Sequence, residues 1–341
     1  MGSALALALA ASGRKVTLVG RPPGAPVPAG RPLALSHASR LILERLGAWD
    51  PASGTPIRSV QVSRQRAFGQ VTMTARDAGV PALGYVIEYA DLLAQLHRSL
   101  ETAGIAPCES GPTTPSLVVH AEGGADTRAE RDYGQHALLA IVEAQPPAGD
   151  RAWERFTDEG PLGLLPLKGR YCAVWGMRAE RADDLLVSDD AGFLDQLSRA
   201  FGGRAGPFLR VSGRQSVPLV LRRHPSRVGP RQVWIGNAAQ TLHPVAGQGL
   251  NLGLRDAWDL AGVLSEALDA GDPAVLRRFE ATRRWDAAAT VRVTDFLARA
   301  FIGDDLLHRV GGGMGLAALD LCAPARRFFA RRMIFGPSAL P

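Results

Sequence analysis

One stretch limits the possible folds of this chain more than any other: Ile235-Gly-Asn-Ala-Ala-Gln-Thr-Leu-His-Pro-Val-Ala-Gly-Gln-Gly-Leu-Asn-Leu-Gly-Leu-Arg-Asp256. Before it, Gln232-Val-Trp-Ile235 reads as a short buried strand, and Gly236-Asn237 as a turn. Pro244 to Gly249 form a glycine-rich loop. From about Gly249 the apolar residues Leu250, Leu254, Ala257, Ala261 and Leu264 fall on one helical face. A strand therefore feeds a loop, and the loop feeds the N-terminus of a long helix. Such an end presents free backbone N–H groups and about half a positive charge. Glycines at Gly247 and Gly249 let a flat, partly anionic ligand approach the backbone. Gln248 and Asn251 add side-chain amides able to read the edges of a ring.

The rest of the chain excludes several other classes. Its 341 residues suffice for two closely associated lobes, and a content of 46% hydrophobic and 21% charged residues is that of a globular protein. Cys108, Cys172 and Cys322 lie far apart, so neither a disulfide framework nor a zinc site is expected. The seven histidines show no ligand spacing, and no metal is expected. There is no G-x-S-x-G elbow and no P-loop. The net charge of +6 rests on arginine, since Lys15 and Lys168 are the only lysines. No basic run is interleaved with aromatics, which argues against nucleic-acid binding. The cluster Arg326-Arg-Phe-Phe-Ala-Arg-Arg332 fits either an anionic membrane surface or a solvated helix face. No apolar run reaches the roughly 18 residues of a membrane-spanning helix.

Periodicity places the remaining elements. Met1 to Ser12 reads as an apolar helix without the basic flank of a signal peptide; after Gly13, Arg14 to Val19 reads as a strand. Ser39 to Leu46 predicts an amphipathic helix, and Ile57 to Ala75 alternates as strands. Tyr85 to Leu93 leads into a helix through Leu100. Asp132 to Val142, Trp153 to Leu167 and Tyr171 to Trp175 predict antiparallel strands, with turns at Asp158-Glu-Gly and Lys168-Gly-Arg. Asp189 to Phe201, Arg277 to Ile302 and Gly315 to Ile334 predict helices.

The string from Gly236 and Asn237 through Pro244, Gly247, Gln248, Gly249 and Leu250 to Asn251 resembles the flavin signature of FAD-dependent aromatic hydroxylases. The resemblance is to the branch that acts on ubiquinone precursors, the 2-polyprenyl-6-methoxyphenol hydroxylases. Asn237 stands where most of that family has Asp, and Gln240 where many have His. Trp153 to Pro166, with Glu-Arg-Phe-Thr-x-x-Gly-Pro-Leu-x-x-Leu-Pro, is similar to the same branch. Arg31 matches an arginine that lies over the cofactor, and Leu117 to Gly124 resembles a second flavoprotein fingerprint, with Glu122 in place of Asp. Gly2 resembles the third glycine of a G-x-G-x-x-G whose strand and first glycines are absent. Gly20 stands where the family has a ribose-binding acid, and Tyr89-Ala90 where it often has Asn-Arg. The segment from Cys108 to Val118 is shorter than in relatives.

The resemblance implies an α/β fold: an FAD/NAD(P)-binding Rossmann-like lobe (1–56, 84–130 and 217–270) with an inserted mixed or antiparallel β-sheet substrate lobe (57–83 and 131–216), followed by C-terminal helices (271–341). It implies FAD as cofactor, NAD(P)H as co-substrate, and hydroxylation of a polyprenylated methoxyphenol by O2 through a C4a-hydroperoxyflavin. It further implies a cytoplasmic enzyme in peripheral contact with the inner membrane, within a ubiquinone-biosynthesis complex. His243 is the one candidate for an acid or base; an ordinary loop histidine fits equally. Two readings of the chain start remain open, a start assigned downstream of the first strand or a true loss. Two rivals to the function also remain: a non-catalytic scaffold, and a flavin hydroxylase for another aromatic.

Overall fold

The computed structural model describes residues 1–20, 32–122, 129–241, 248–284 and 306–336. The all-apolar α1 (Gly2–Ala11) is buried through Ala4, Leu5, Ala6, Leu7 and Leu9. It lies in a core with α2 (His37–Arg45), α4 (Tyr89–Thr102) and α7 (Gln248–Ser265). Beside this core are two small sheets. In one, β1 (Pro32–Ser36) and β2 (Thr55–Ile57) flank β5 (Gly84–Glu88), all antiparallel. In the other, β6 (Val118–His120) pairs in parallel with β13 (Gln232–Trp234), and β12 (Val228–Gly229) closes one edge.

The large sheet has eight strands. It takes in β3 (Ser59–Arg64), β4 (Gln70–Thr74), β7 (Ala129–Ala144), β8 (Arg151–Phe156), β9 (Pro161–Leu167), β10 (Arg170–Arg178), β11 (Phe208–Arg223) and β14 (Gln240–Thr241). Their order is β14-β11-β7-β10-β9-β8-β3-β4. Only β3 and β8 run parallel, so the sheet is mixed. Two-sided burial explains the near-continuous apolar run Pro161 to Leu167 on β9. One face carries α5 (Ala179–Val187) and α6 (Asp190–Phe201), where Phe193, Leu197 and Phe201 meet Leu164, Trp175 and Met177. The other face meets β2 and β5 through a cluster of Ile57, Val86, Ala152, Leu167 and Cys172.

Two expectations need correction. Arg14 to Val19 forms no strand ladder: its one pairing is the parallel bridge between Val19 and Cys108. Among the described residues, its other edge has no strand beside it. Pro32 to Ser36, for which the sequence predicts no element, is a strand, with the proline at its first position. The C-terminal helix from Gly315 to Ile334 is two helices, α9 (Leu306–Leu321) and α10 (Ala323–Phe335), parted at Cys322. Pro324 near the start of α10 lacks the N–H that a continuous helix would use. Helix α8 is described over 273–284. The two halves of the molecule share strands. β11 runs from Phe208 through residue 217 to Arg223 without leaving the sheet, and β14 extends the sheet edge into the flavin side.

Candidate active site

The start of α7 is held by two buried polar contacts. Asn251, 2% exposed, accepts the Ser36 backbone N–H on Oδ1 at 2.8 Å and donates from Nδ2 to the Ala34 carbonyl at 3.1 Å. The first turn of α7 is thereby tied to β1, and the Asn251 amide, expected to read a ring edge, makes these contacts to the backbone of β1. Gly249 lies two residues earlier, and a Cβ there would meet nothing within 4 Å. Its φ is not positive, so the need for glycine at this place is space, not backbone conformation.

On the other side of α7 the turn at Gly236 to Ala238 carries a left-handed residue, Gly236 at φ 59°. Its N–H donates to Asp256 Oδ2 at 3.2 Å. Asp256 is fully buried and also accepts from Arg283 Nε at 2.7 Å and Arg227 Nη1 at 3.2 Å; Arg283 reaches on to Asp259. Two arginines and two aspartates thus balance one another within this network. The Gly236 turn is crowded: a Cβ on it would sit 2.6 Å from Met1 Cγ, and one on Gly253 would sit 2.9 Å from Met1 Sδ. Gly2 lies between Leu18 and Ala121. Asn237 is exposed at the tip of the turn.

Among the buried side-chain nitrogens near these segments that make no hydrogen bond are His37 Nδ1, which follows the residue that Asn251 holds, and Gln240 Nε2 on β14. His37 is 6% exposed, and burial followed by the nearby Arg40 lowers its pKa, so it is held neutral. Gln240 is 4% exposed. Next to the turn, Trp234 is sandwiched between the rings of His120 at 4.9 Å and His224 at 4.1 Å, both nearly parallel to it.

Of the residues singled out from the sequence, the structure brings together Gly236, Asn237, Gly249, Leu250 and Asn251 around α7, and Gly2 beside Ala121. Gln248 opens α7. Arg31, His243, Pro244 and Gly247 lie outside the described residues. Sequence reasoning assigned no role to Asp256, Arg283, Gln240 or His37. Asp256 carried a readable signal, a charge at a core position of an apolar helix. Its partners Arg227 and Arg283 are remote in sequence, and no local pattern points to them.

Residues 114–294 match the FAD binding domain family. The ubiquinone hydroxylase UbiL of Rhodospirillum rubrum is 32% identical over 97% of this chain and 86% of its own length. The 3-demethoxyubiquinol 3-hydroxylase of Escherichia coli is 29% identical over 96% of this chain and 94% of its own. Among solved structures, Klebsiella pneumoniae HpxO complexed with FAD and uric acid superposes with a TM-score of 0.73 at 17% identity, over 98% of this chain and 94% of that one. The fold is that of a flavoprotein monooxygenase. The chain belongs to the FAD-dependent monooxygenases that carry this FAD binding domain.

Proposed function

We propose that this chain is an FAD-dependent hydroxylase of ubiquinone biosynthesis, and that its substrate is a polyprenylated methoxyphenol. Two relatives that align over nearly its whole length are named for ubiquinone hydroxylation, which supports the pathway. The residues present fit the cofactor. The observation that carries the reading is the start of α7, where open space over Gly249 lies beside a backbone fixed by Asn251. His37 Nδ1 and Gln240 Nε2, buried without partners, offer polar atoms to a ligand. Exposed Asn237 would face the ribityl chain as a neutral donor and acceptor where a carboxylate is usual. Bound FAD would pass reducing equivalents from NAD(P)H to O2 and deliver one oxygen atom to the ring. This chain's own residues hold the cofactor, orient the phenol and keep water away.

A prenylated substrate is drawn from a bilayer, and contact of α9 and α10 with an anionic membrane belongs to this reading. Phe328 and Leu321 are exposed beside the arginines of α10, and such residues add to membrane affinity both by burial and by charge. Among the described residues no helix is long and apolar enough to cross a membrane. Assembly with other quinone-biosynthesis proteins is part of the same proposal.

The test is expression of the gene in a bacterium lacking its own hydroxylase, grown in air. Ubiquinone should return only with oxygen, and purified, FAD-loaded protein should add one oxygen atom to a prenylated methoxyphenol, read by mass spectrometry. Well-expressed protein that retains FAD but leaves the phenol unchanged would move the assignment to another aromatic. Protein that retains no FAD would favour a scaffold.

A further inference from the structure

β8 alternates across the large sheet. Trp153 and Arg155 face the helices, where Trp153 meets Tyr171 and Phe201 and Arg155 donates to the Ala200 carbonyl. Ala152, Glu154 and Phe156 share the opposite face. Register sets Val62 beside Glu154 on β3 and Gly163 beside it on β9. A Cβ on Gly163 would sit 3.3 Å from Glu154 Oε2, so the carboxyl occupies the room this glycine leaves.

The wall around Glu154 is apolar on both sides. Ala152 packs in a cluster with Val86 of β5, and Phe156 in one that Ala38 and Phe335 join. Ala38 lies two residues beyond Ser36, which Asn251 clamps. The face that carries Glu154 is therefore the one turned to the start of α7. Among the described residues Glu154 has no hydrogen-bonding or ionic partner. An unpartnered carboxyl on such a wall costs stability, and a substrate hydroxyl is the kind of group that would satisfy it.

We propose that Glu154 is the catalytic base of this site, and that its carboxylate takes the proton of the substrate's phenolic hydroxyl. This rests on the hydroxylase reading above. The phenol's O–H bond breaks as an O–H bond forms on Glu154, and the electron pair left on oxygen enriches the ring that must attack an electrophilic oxygen. The proton ends in the water that is the reaction's second product. Burial pushes the carboxyl up to about 7, which suits a base working near neutral pH. The titratable and charged groups packed about this face are few among the described residues. Arg64 lies on β3, His37 on α2, Glu88 on β5 and Arg331 on α10; Asp77 and Arg326 pair with each other, and Asp320 accepts the Thr72 N–H. Cys172 on β10 is pushed up to about 12 and stays a thiol.

The experiment compares FAD-loaded wild type with E154Q and E154D, using a 2-methoxyphenol with a short prenyl chain. In the wild type, kcat should rise with pH through an apparent pKa near that of Glu154, and the bound probe should absorb as phenolate where the free phenol is neutral. E154Q should lose the acid limb and the phenolate band, with kcat lowered about 100-fold or more and KM little changed. E154D should restore part of the rate and the acid limb. Flavin content equal in all three, with no loss of stability in E154Q, separates this from a structural role. Turnover by wild type with an E154Q profile that superimposes on it would overturn the proposal alone. Absence of turnover in a flavin-loaded wild type would overturn the substrate reading, and the base with it.

Discussion

Asp256 reaches from α7 to accept the N–H of Gly236, at 3.2 Å, while the same carboxylate binds Arg283 at 2.7 Å. The turn that on the proposed function presents Asn237 to the cofactor is thus fixed by a buried ion network rather than by its own loop. On that reading, stability and cofactor geometry are coupled through one side chain.

Asp256→Asn should therefore destabilise the fold and loosen the flavin together. The amide still accepts from Gly236, but Arg227 and Arg283 lose a counter-charge; breaking a buried pair costs up to about 3–5 kcal/mol. Urea unfolding and flavin content of the purified protein read both effects. Unchanged stability would mean that Asp259 alone balances Arg283.

Asn251→Ala leaves the Ser36 N–H and the Ala34 carbonyl without the partner they now have. A cost of about 1–3 kcal/mol is expected, with weaker FAD retention because β1 is released from α7. Asn251→Asp, which keeps the acceptor and loses the donor, should fall between. Denaturant midpoints and FAD titrations of the three proteins give the order.

Gly249→Val should separate folding from binding. Nothing lies within 4 Å of an added Cβ, and the helical φ is ordinary, so the unliganded protein should keep its stability or gain about 0.3 kcal/mol from helix propensity. The branched side chain fills the space a ring would take, and the purified protein should be colourless. A yellow, fully loaded variant would remove Gly249 from the site.

Glu154 also predicts a pH dependence of stability. Its folded pKa of about 7 lies above the ordinary 4.5, so between these values the folded protein holds more protons than the unfolded chain. Its contribution falls as pH rises through that window and is lowest above about 7. At about 1.4 kcal/mol per unit, the difference is at most roughly 3 kcal/mol. Glu154→Gln should match wild type near pH 4.5 and gain on it up to pH 7, as read by denaturant unfolding at each pH. Parallel curves would show an ordinary carboxyl.

The strand, turn and helix around Gly236 were readable because each local signal agrees: β-branched and aromatic residues, then glycines, then a helical apolar period. The antiparallel strands from Trp153 to Trp175 were readable for the same reason. Arg14 to Val19 looks like a strand by composition, yet a strand is defined by its neighbours, and Val19 has only Cys108. Glu154 stood in plain view inside the Glu-Arg-Phe-Thr string. Its chemistry was not readable, because alternation alone does not tell which face of β8 is turned to helices and which to the flavin side. The Asp256 network escaped because Arg283 approaches it through tertiary packing.

The unbroken course of β11 bears on how the gene can be cut. A split at residue 216 or 217, the boundary the sequence predicts for the substrate-binding segment, severs a strand midway along its ladder with β7. Neither fragment could bury its edge, so complementing halves or a transplanted substrate lobe would have to be divided elsewhere, at the turn between β7 and β8. Recombination among relatives should respect that seam.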